Sequence, residues 1–383
     1  METNGLWDKI SPQLRQAEKL AGSATYFGEM VYQFSRRKTA AAGLVAVIIL
    51  VLISALGPVI SDRQYDYQNL AHVNTPLMLD TVEIDGQYYY ITSNMKVTQV
   101  SPEGELLNTL ERVGDDSVQK RFSFEISGNV YYLNYKYNPP RLESGDGTVL
   151  SKSRLFFNKT YPLGSDSLGR DIFIRLIYGM RISLTVAFIA TLVNLLIGVL
   201  YGCAAGYAGG GADMVMMRVV DMISSIPLTL YVILIMVLFN NGGFISIVLA
   251  LGFVYWVDMA RVVRGQILSL KQQDFILAAK TMGSGSGYIL RRHLIANAVG
   301  PIIVTATMQI PAAIFTEAFM SFIGLGVTAP MASLGTMCSD ALEGLRSAPY
   351  QLAIPAAAIC VIMFAFNFVG DGLRDAFDPH MRK

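Results

Sequence analysis

The chain has 383 residues, of which 52% are hydrophobic and only 15% charged. Soluble globular chains carry roughly 25% charged residues, and here the apolar excess is gathered into blocks between polar stretches, which argues against one large soluble core. A formal net charge of +1 gives no global signal for nucleic acid or an acidic partner.

In chain order, the first 38 residues read as an N-terminal cytoplasmic segment. They carry Lys9, Arg15 and Lys19 without the apolar core of a cleavable signal peptide. A helix needs about 20 apolar residues to cross the hydrocarbon of a bilayer. Six segments qualify: 39–60, 182–205, 215–239, 244–257, 298–322 and 350–369. The third is interrupted by Arg218, Asp221 and Pro227. The fourth is short and extends through Met259. The fifth is broken by Pro301 and Pro311. Gly198, Gly202, Ala204, Ala205 and Gly206 give the second span a small-residue face for close helix packing. Cys203, Cys338 and Cys360 lie in or beside apolar segments without CxxC spacing and read as buried, inert thiols.

Lys and Arg in short loops set the orientation. Arg36, Arg37 and Lys38 precede the first span. Arg261, Arg264, Lys271, Lys280, Arg291 and Arg292 lie between the fourth and fifth, and Arg374, Arg382 and Lys383 follow the sixth. The opposite short loops are poor in Lys and Arg: 240–243 has neither, and 323–349 has only Arg346. Both termini are therefore expected inside, with 61–175 outside and 261–293 inside.

Between the first two spans, residues 61–160 lose the apolar runs and gain Tyr, Thr, Val, Asp and Gly. Residues 81–91 read as two strands around Asp85-Gly86, a strong hairpin signal. Glu83–Ile91 is echoed 42 residues later by Glu125–Leu133, which predicts two related hairpins in a small β-rich insert. Ser101-Pro102-Glu103-Gly104 marks a turn. The clustered tyrosines fill strand faces in this reading; a ligand platform is the rival. Asn158-Lys159-Thr160 is a chance acceptor triplet.

Several stretches carry possible mechanism. In Tyr161–Asp171, Gly164 and Gly169 permit a tight turn around which Asp166, Arg170 and Asp171 can pair, giving a structural clamp. Arg218 and Asp221 are spaced to pair locally inside the third span, ahead of Pro227. Arg261 and Arg264 share a helical face. Asp274 is placed to cap a helix over 275–282, Ala278 and Ala279 form a small-residue patch, and Gly283 ends or bends it. Phe275, Ile276 and Met282 would present an apolar surface. The residues alone leave two readings open: a helix that docks in a partner's groove, or one that lies on its own membrane domain.

The arrangement Ala278-Ala279-x3-Gly283-x9-His293-x3-Asn297 resembles the cytoplasmic coupling loop of ABC-importer permeases, more narrowly the dipeptide/oligopeptide/nickel branch. Leu277 stands where the family often has Glu, which weakens a charged contact there. Ala296 stands where it usually has Pro, which implies a straighter start to the fifth span. Tyr161–Asp171 is similar to the branch's His-Pro-Leu-Gly-Thr-Asp-x-x-Gly-Arg-Asp, with Tyr161 for His and Ser165 for Thr. Arg218, Asp221 and Pro227 resemble the Arg-x-x-Asp-x5-Pro of its third span. Ser321–Gly326 and Gly370–Pro379 resemble its outer loop and C-terminal tail. The resemblance runs over about 160–380 and leaves the insert aside.

The resemblance implies an all-α polytopic membrane protein with six transmembrane helices, a type I ABC importer permease, and a β-rich extracytoplasmic insert between helices 1 and 2. The core is 161–383, with a coupling loop at 261–297. It implies the second of two permease chains of a peptide importer in a bacterial or archaeal cytoplasmic membrane. Its partners would be a homologous permease, two ATPase subunits that hold ATP and Mg, and an external substrate-binding protein. The coupling residues implied are Asp274, Phe275, Ala278, Ala279, Gly283, His293 and Asn297. No G-x-x-x-x-G-K-[ST] loop, H-E-x-x-H or G-x-S-x-G occurs, so no catalytic residue, cofactor or metal is expected in this chain. Gly283-Ser-Gly285-Ser-Gly287 follows a helix-like run rather than a strand, against a nucleotide loop. His293, one of three histidines with His72 and His380, reads as a polar interface residue rather than a proton relay. The rival from another class is a membrane-anchored sensor or adhesion protein whose working part is the insert.

Overall fold

The computed structural model describes residues 26–61, 63–239, 243–328 and 330–377. Lys9, Arg15, Lys19, the Asp378-Pro379 end of the tail motif, His380, Arg382 and Lys383 fall outside the described residues. Helix α1 (Tyr26–Arg36) leads into α2 (Lys38–Ile60), the first apolar span. Nine strands follow. Then come α3 (Ile172–Ala208), α4 (Gly210–Ser224), α5 (Leu228–Phe239), α6 (Phe244–Val254), α7 (Trp256–Leu270) and α8 (Asp274–Thr281). One short turn, α9 (Ser286–Tyr288), runs through a π-helical segment, Ile289–Ile295, into α10 (Ala296–Phe322). Helices α11 (Leu334–Asp340) and α12 (Tyr350–Phe377) complete the described chain.

Among the described residues, five helical stretches are long and apolar enough to cross a membrane: Lys38–Ile60, Ile172–Ala208, Phe244–Leu270, Ser286–Phe322 and Tyr350–Phe377. The expected third span is a pair of helices, α4 and α5, bent by 81°, and the pair taken as one broken span brings the number to six. Pro227 explains the break, because it has no N–H to donate and its ring clashes with the preceding turn. The Ser224 hydroxyl donates to the Asp221 carbonyl at 3.1 Å, and the Ser225 hydroxyl donates at 2.7 Å to the Met222 carbonyl, which the break leaves without its helical donor. The expected break at Pro301 and Pro311 is absent: α10 runs through both. Spanning helices tolerate proline where side chains and neighbours satisfy the freed backbone groups. The second and fourth spans are longer than the apolar runs suggest, starting ten residues earlier and ending at Leu270 respectively.

Gly198, Gly202 and Gly206 form a ridge on α3 that meets Met259, Val263 and Ile267 of α7. A Cβ at Gly202 would stand 2.5 Å from the Ala260 carbonyl oxygen, so only glycine lets these backbones approach. Elsewhere in the bundle, Met180 and Leu184 of α3 pack with Leu251 of α6, Ile314 of α10 and Phe366 of α12. Cys203 and Cys338 are buried, but Cys360 is exposed on α12, against the expectation of three buried thiols.

The strands form two antiparallel sheets, ordered β4-β3-β2-β1-β9 and β5-β6-β7-β8. The first holds β1 (Met78–Ile84), β2 (Gln87–Ile91), β3 (Val97–Val100), β4 (Leu106–Thr109) and β9 (Lys152–Phe157). The second holds β5 (Gly114–Asp116), β6 (Arg121–Ile126), β7 (Asn129–Asn134) and β8 (Arg141–Ser144). The two echoed sequences are two-residue hairpins, Ile84↔Gln87 and Ile126↔Asn129. Asp85-Gly86 and Ser127-Gly128 all have positive φ, between 51° and 82°, as the type I′ turn requires. Each hairpin sits in its own sheet, and the sheets pack through Val82, Ile84 and Tyr89 against Phe124, Leu133 and Leu142. The reverse face of the first sheet buries Leu79, Tyr90 and Phe156 with Tyr161. Most tyrosines here are thus strand-face packing.

Candidate coupling site and outer latch

Helix α8 is closed at its C-terminus by paired backbone bonds. Ser284 N–H donates to Ala279 C=O at 3.0 Å, and Gly283 N–H to Lys280 C=O at 2.9 Å. Gly283 has φ +79°, the left-handed residue this Schellman arrangement needs. The N-terminus departs from expectation. Gln273 is the cap, without a side-chain bond, and Asp274 lies in the first turn, exposed, where its charge favours the helix dipole without capping.

Ile276 also departs from expectation. It is fully buried, with Ala279, against Cys203, Ile267, Ile289 and Leu294 of the chain's own bundle. One face of α8 therefore lies on its own membrane domain. The opposite side leaves Phe275, Leu277, Ala278 and Met282 exposed, Met282 to 79%. His293 sits between aromatic rings, 5.5 Å from Tyr288 and 6.5 Å from Phe275 by centroid. Asn297 Nδ2, at the start of α10, donates to the His293 carbonyl at 2.6 Å. Phe275, Tyr288 and His293 so form one aromatic patch on the membrane domain's surface. Tyr288 and Leu277 were not among the expected apolar residues, although both are plain in the sequence.

The charges beside this segment also pair differently from expectation. Arg218 is exposed and forms no bridge to Asp221. Asp221 instead accepts from Arg261 at 3.2 Å, and Asp213 accepts two bonds from Arg264, at 2.5 and 2.6 Å. Arg261 and Arg264 do share a face, and it is turned to α4. They brace the bent pair against α7.

At the other end of α3, the 161–171 motif builds a dense ionic cluster. Gly164 (φ +81°) would place a Cβ 2.6 Å from the Tyr350 ring, and Gly169 (φ +71°) one 1.9 Å from the Asn69 carbonyl oxygen. Asp166 accepts from the Leu168 and Arg170 N–H groups, both at 2.9 Å, from Arg170 Nε at 2.7 Å and from the Arg175 guanidinium. Arg170 and Arg175 also reach Asp340 of α11, at 3.1 and 3.0 Å. Asp171 caps α3 through the Phe173 N–H, 2.9 Å, and pairs with Arg63 at 2.9 Å. Burial raises the Asp171 carboxyl above the ordinary carboxylate range, and the bond from Arg63 partly offsets this. Of the expected pairings, Asp166–Arg170 forms; Asp171 turns away to Arg63. Arg175, Asp340 and Arg63 went unread because their partners lie up to 170 positions distant.

Tyr350 and Gln351 of α12 then seat the motif, donating to the Ser165 carbonyl at 3.2 and 2.9 Å. Further into the bundle, Glu317 of α10 is fully buried and accepts from Ser183 at 2.6 Å and Ser321 at 2.8 Å. Gly324, with φ +83°, ends α10 with the same pair of backbone bonds that ends α8. Among the described residues no cluster of His, Cys, Asp and Glu is suited to a metal ion.

Residues 194–383 match the family described as binding-protein-dependent transport system inner membrane component. Residues 25–76 match the N-terminal TM domain of oligopeptide transport permease C. The chain is 49% identical over 226 residues to the oligopeptide transport system permease protein OppC of Bacillus subtilis, covering 59% of this chain and 74% of that protein. It belongs to the binding-protein-dependent transport permeases. To the dipeptide transport system permease protein DppC of the same organism it is also 49% identical, over 57% of this chain and 69% of that one. A solved chain of the MetNI methionine ABC transporter, in an inward-facing conformation, aligns with a TM-score of 0.46 at 18% identity, over 54% of this chain and 98% of that one. The permease is a multi-pass membrane protein of a transport family whose members are subunits of larger assemblies. The sensor or adhesion reading is not favoured. All nine strands fall between the two family matches.

Proposed function

We propose that this permease is one of two homologous membrane subunits of a peptide importer, driven by separate ATPase subunits and supplied by an external substrate-binding protein. The termini and the 261–297 segment face the cytoplasm, and the strands of the 61–160 insert lie outside. The observation that carries the mechanism is the two-sided α8. Its inner side, Ile276 and Ala279, is built into the permease core, while Phe275, Ala278, Met282, Tyr288 and His293 offer an apolar, partly aromatic patch. A helix presented in this way fits a groove on a partner. Pushing on it moves the core with it, because the inner side is already packed. Peptides as cargo rest on the likeness to the oligopeptide and dipeptide permeases.

Cysteines at Ala278 or Met282, paired with cysteines along the ATPase groove, should crosslink in the assembled complex during ATP turnover. Absence of crosslinks from both positions in an assembled, hydrolysing complex would refute the docking. Labelling of a His293→Cys variant by an impermeant maleimide from outside intact cells would refute the orientation.

A further inference from the structure

Along β1, Ile84, Val82, Asp80 and Met78 project to one side, as alternate residues of a strand must. Ile84 and Val82 are each 5% exposed and belong to the core between the two sheets; Met78, at the strand's start, is 47% exposed. The sandwich core therefore opens, within one strand, into a cleft. That cleft has a volume of about 730 Å³, within the roughly 300–1,000 Å³ usual for small-ligand sites. Its three walls come from β1 and β2, from the Pro139–Leu142 stretch at β8, and from Ser347 and Tyr350 at the outer end of the last span.

The lining is of mixed chemistry. Val82, Leu142 and Leu150 continue the apolar core. Asp80 and Lys152 stand on neighbouring strands as an ion pair, and both stay accessible, 38% and 66% exposed at the side chain. Arg141 adds a second cation, held 4.6 Å over the Tyr137 ring. A molecule with an apolar side chain between an amine and a carboxylate matches this set: Asp80 would receive the amine in exchange for the exposed Lys152 side chain, and Arg141, with the Lys152 so released, the carboxylate.

We infer that this cleft between the insert and the permease core is a binding site for short peptides with free termini. The inference rests on peptides being the cargo. The site's wall, Tyr350, also donates to Thr75 and Ser165 carbonyls at 3.0 and 3.2 Å, so the cleft adjoins the latch that seats the 161–171 motif.

The test uses the full permease in its assembled complex, in nanodiscs, without the binding protein. The probe is a pentapeptide of alanines with a central benzoylphenylalanine and free termini. Photolabelling should map to 78–82 and 139–152 and be competed by penta-alanine. It should fall tenfold or more in an Arg141→Glu/Lys152→Glu variant, or when both peptide ends are blocked. A Glu125→Lys variant, on the exposed side of β6, should label normally. Labelling confined to other regions, or indifferent to the cleft variant and to blocked ends, overturns the inference. In a second arm with the binding protein added, a photo-crosslinker placed at Met78 that captures only that protein's polypeptide also overturns it, since the cleft is then a protein dock. Uptake of a radiolabelled pentapeptide by cells separates the two levels. No uptake removes the peptide reading itself, whereas uptake with an unlabelled cleft removes only this site.

Discussion

Replacing Asp166 with alanine tests whether the 161–171 latch holds the permease together. Asp166 is 6% exposed, and the two guanidinium groups it neutralises, on Arg170 and Arg175, belong to residues 8% and 3% exposed. Removing it leaves two buried cations sharing only Asp340, and two backbone N–H groups without their acceptor. Breaking a buried pair by deleting one partner costs about 3–5 kcal/mol, because the remaining charge stays desolvated. Asp340 binds the same two arginines, but its side chain is 42% exposed. Water solvates what its loss uncovers, so Asp340→Ala should cost about 0–1 kcal/mol. The predicted order is therefore strongly unequal, although each aspartate makes two ion pairs. Replacing Arg175 with methionine in the Asp166→Ala background removes one orphaned cation and should recover part of the loss. Thermal melting of the purified chain in nanodiscs, read by proteolysis of the 61–160 region, reports the order. Equal melting of the two single variants, or an Asp166→Ala variant that melts like the parent, would show that the cluster is not the buried ionic lock described above.

On the α8 surface, Phe275→Ala and Met282→Ala should leave melting nearly unchanged yet lower transport-coupled ATP hydrolysis several-fold, whereas Ile276→Ala should destabilise by about 2–5 kcal/mol; the two effects separate by melting and ATPase assay. Gly202→Val places a Cβ 2.5 Å from the Ala260 oxygen and 2.8 Å from the Val263 side chain, so α3 and α7 must part and folded yield in membranes should collapse. His72 is buried and its imidazole is held below the ordinary 6.5, first by burial and then by the charge of Lys96. The folded state therefore binds this proton less firmly than the unfolded one. The His72 contribution is whole above about 6.5 and is lost as pH falls below it. Melting between pH 7.5 and 5 should decline more in the parent than in His72→Gln; equal declines would exclude His72 as the acid-sensitive group.

The fold was legible wherever one local pattern decided it. The two hairpins announce themselves through Asp85-Gly86 and Ser127-Gly128, because a two-residue turn with positive φ demands such residues. The spans follow from apolar length, and the α3 glycine ridge from its four-residue spacing. Local pattern misled where a long-range partner competes. Arg218 and Asp221 are well spaced to pair, but Arg261, 40 residues on, takes the aspartate. Ile276 reads as exposed on a polar loop until the bundle supplies Cys203 and Leu294 to cover it. The prolines of α10 read as breaks because proline rules come from water, while packed neighbours in a bundle accept what the helix loses. That the insert is two sheets rather than two free hairpins depended on Tyr89 facing Phe124 and Leu133, contacts no periodicity reveals.

Helix α3 connects these observations. Its 37 residues span roughly 55 Å at 1.5 Å each, so a single rod reaches both ends of the bundle. Arg175, in its first turn, is fixed in the 161–171 latch; Cys203, near its last, packs with Ile276 and Ala279 of α8. Between them the glycine ridge locks the rod to α7, whose Arg261 and Arg264 hold α4. A displacement of α8 therefore cannot be absorbed locally. It must either shear the glycine contact, which has no slack, or carry α3 and α7 together and load the ionic cluster at the far end. The second course is cheaper, because a rigid tilt keeps every buried contact along the ridge. Uncoupling should thus arise from the 161–171 latch as well as from α8. An Asp340→Ala permease, which folds, should hydrolyse ATP normally with its partners yet move less cargo per ATP. A parental ratio of cargo to ATP in that variant would place the moving boundary elsewhere than along α3.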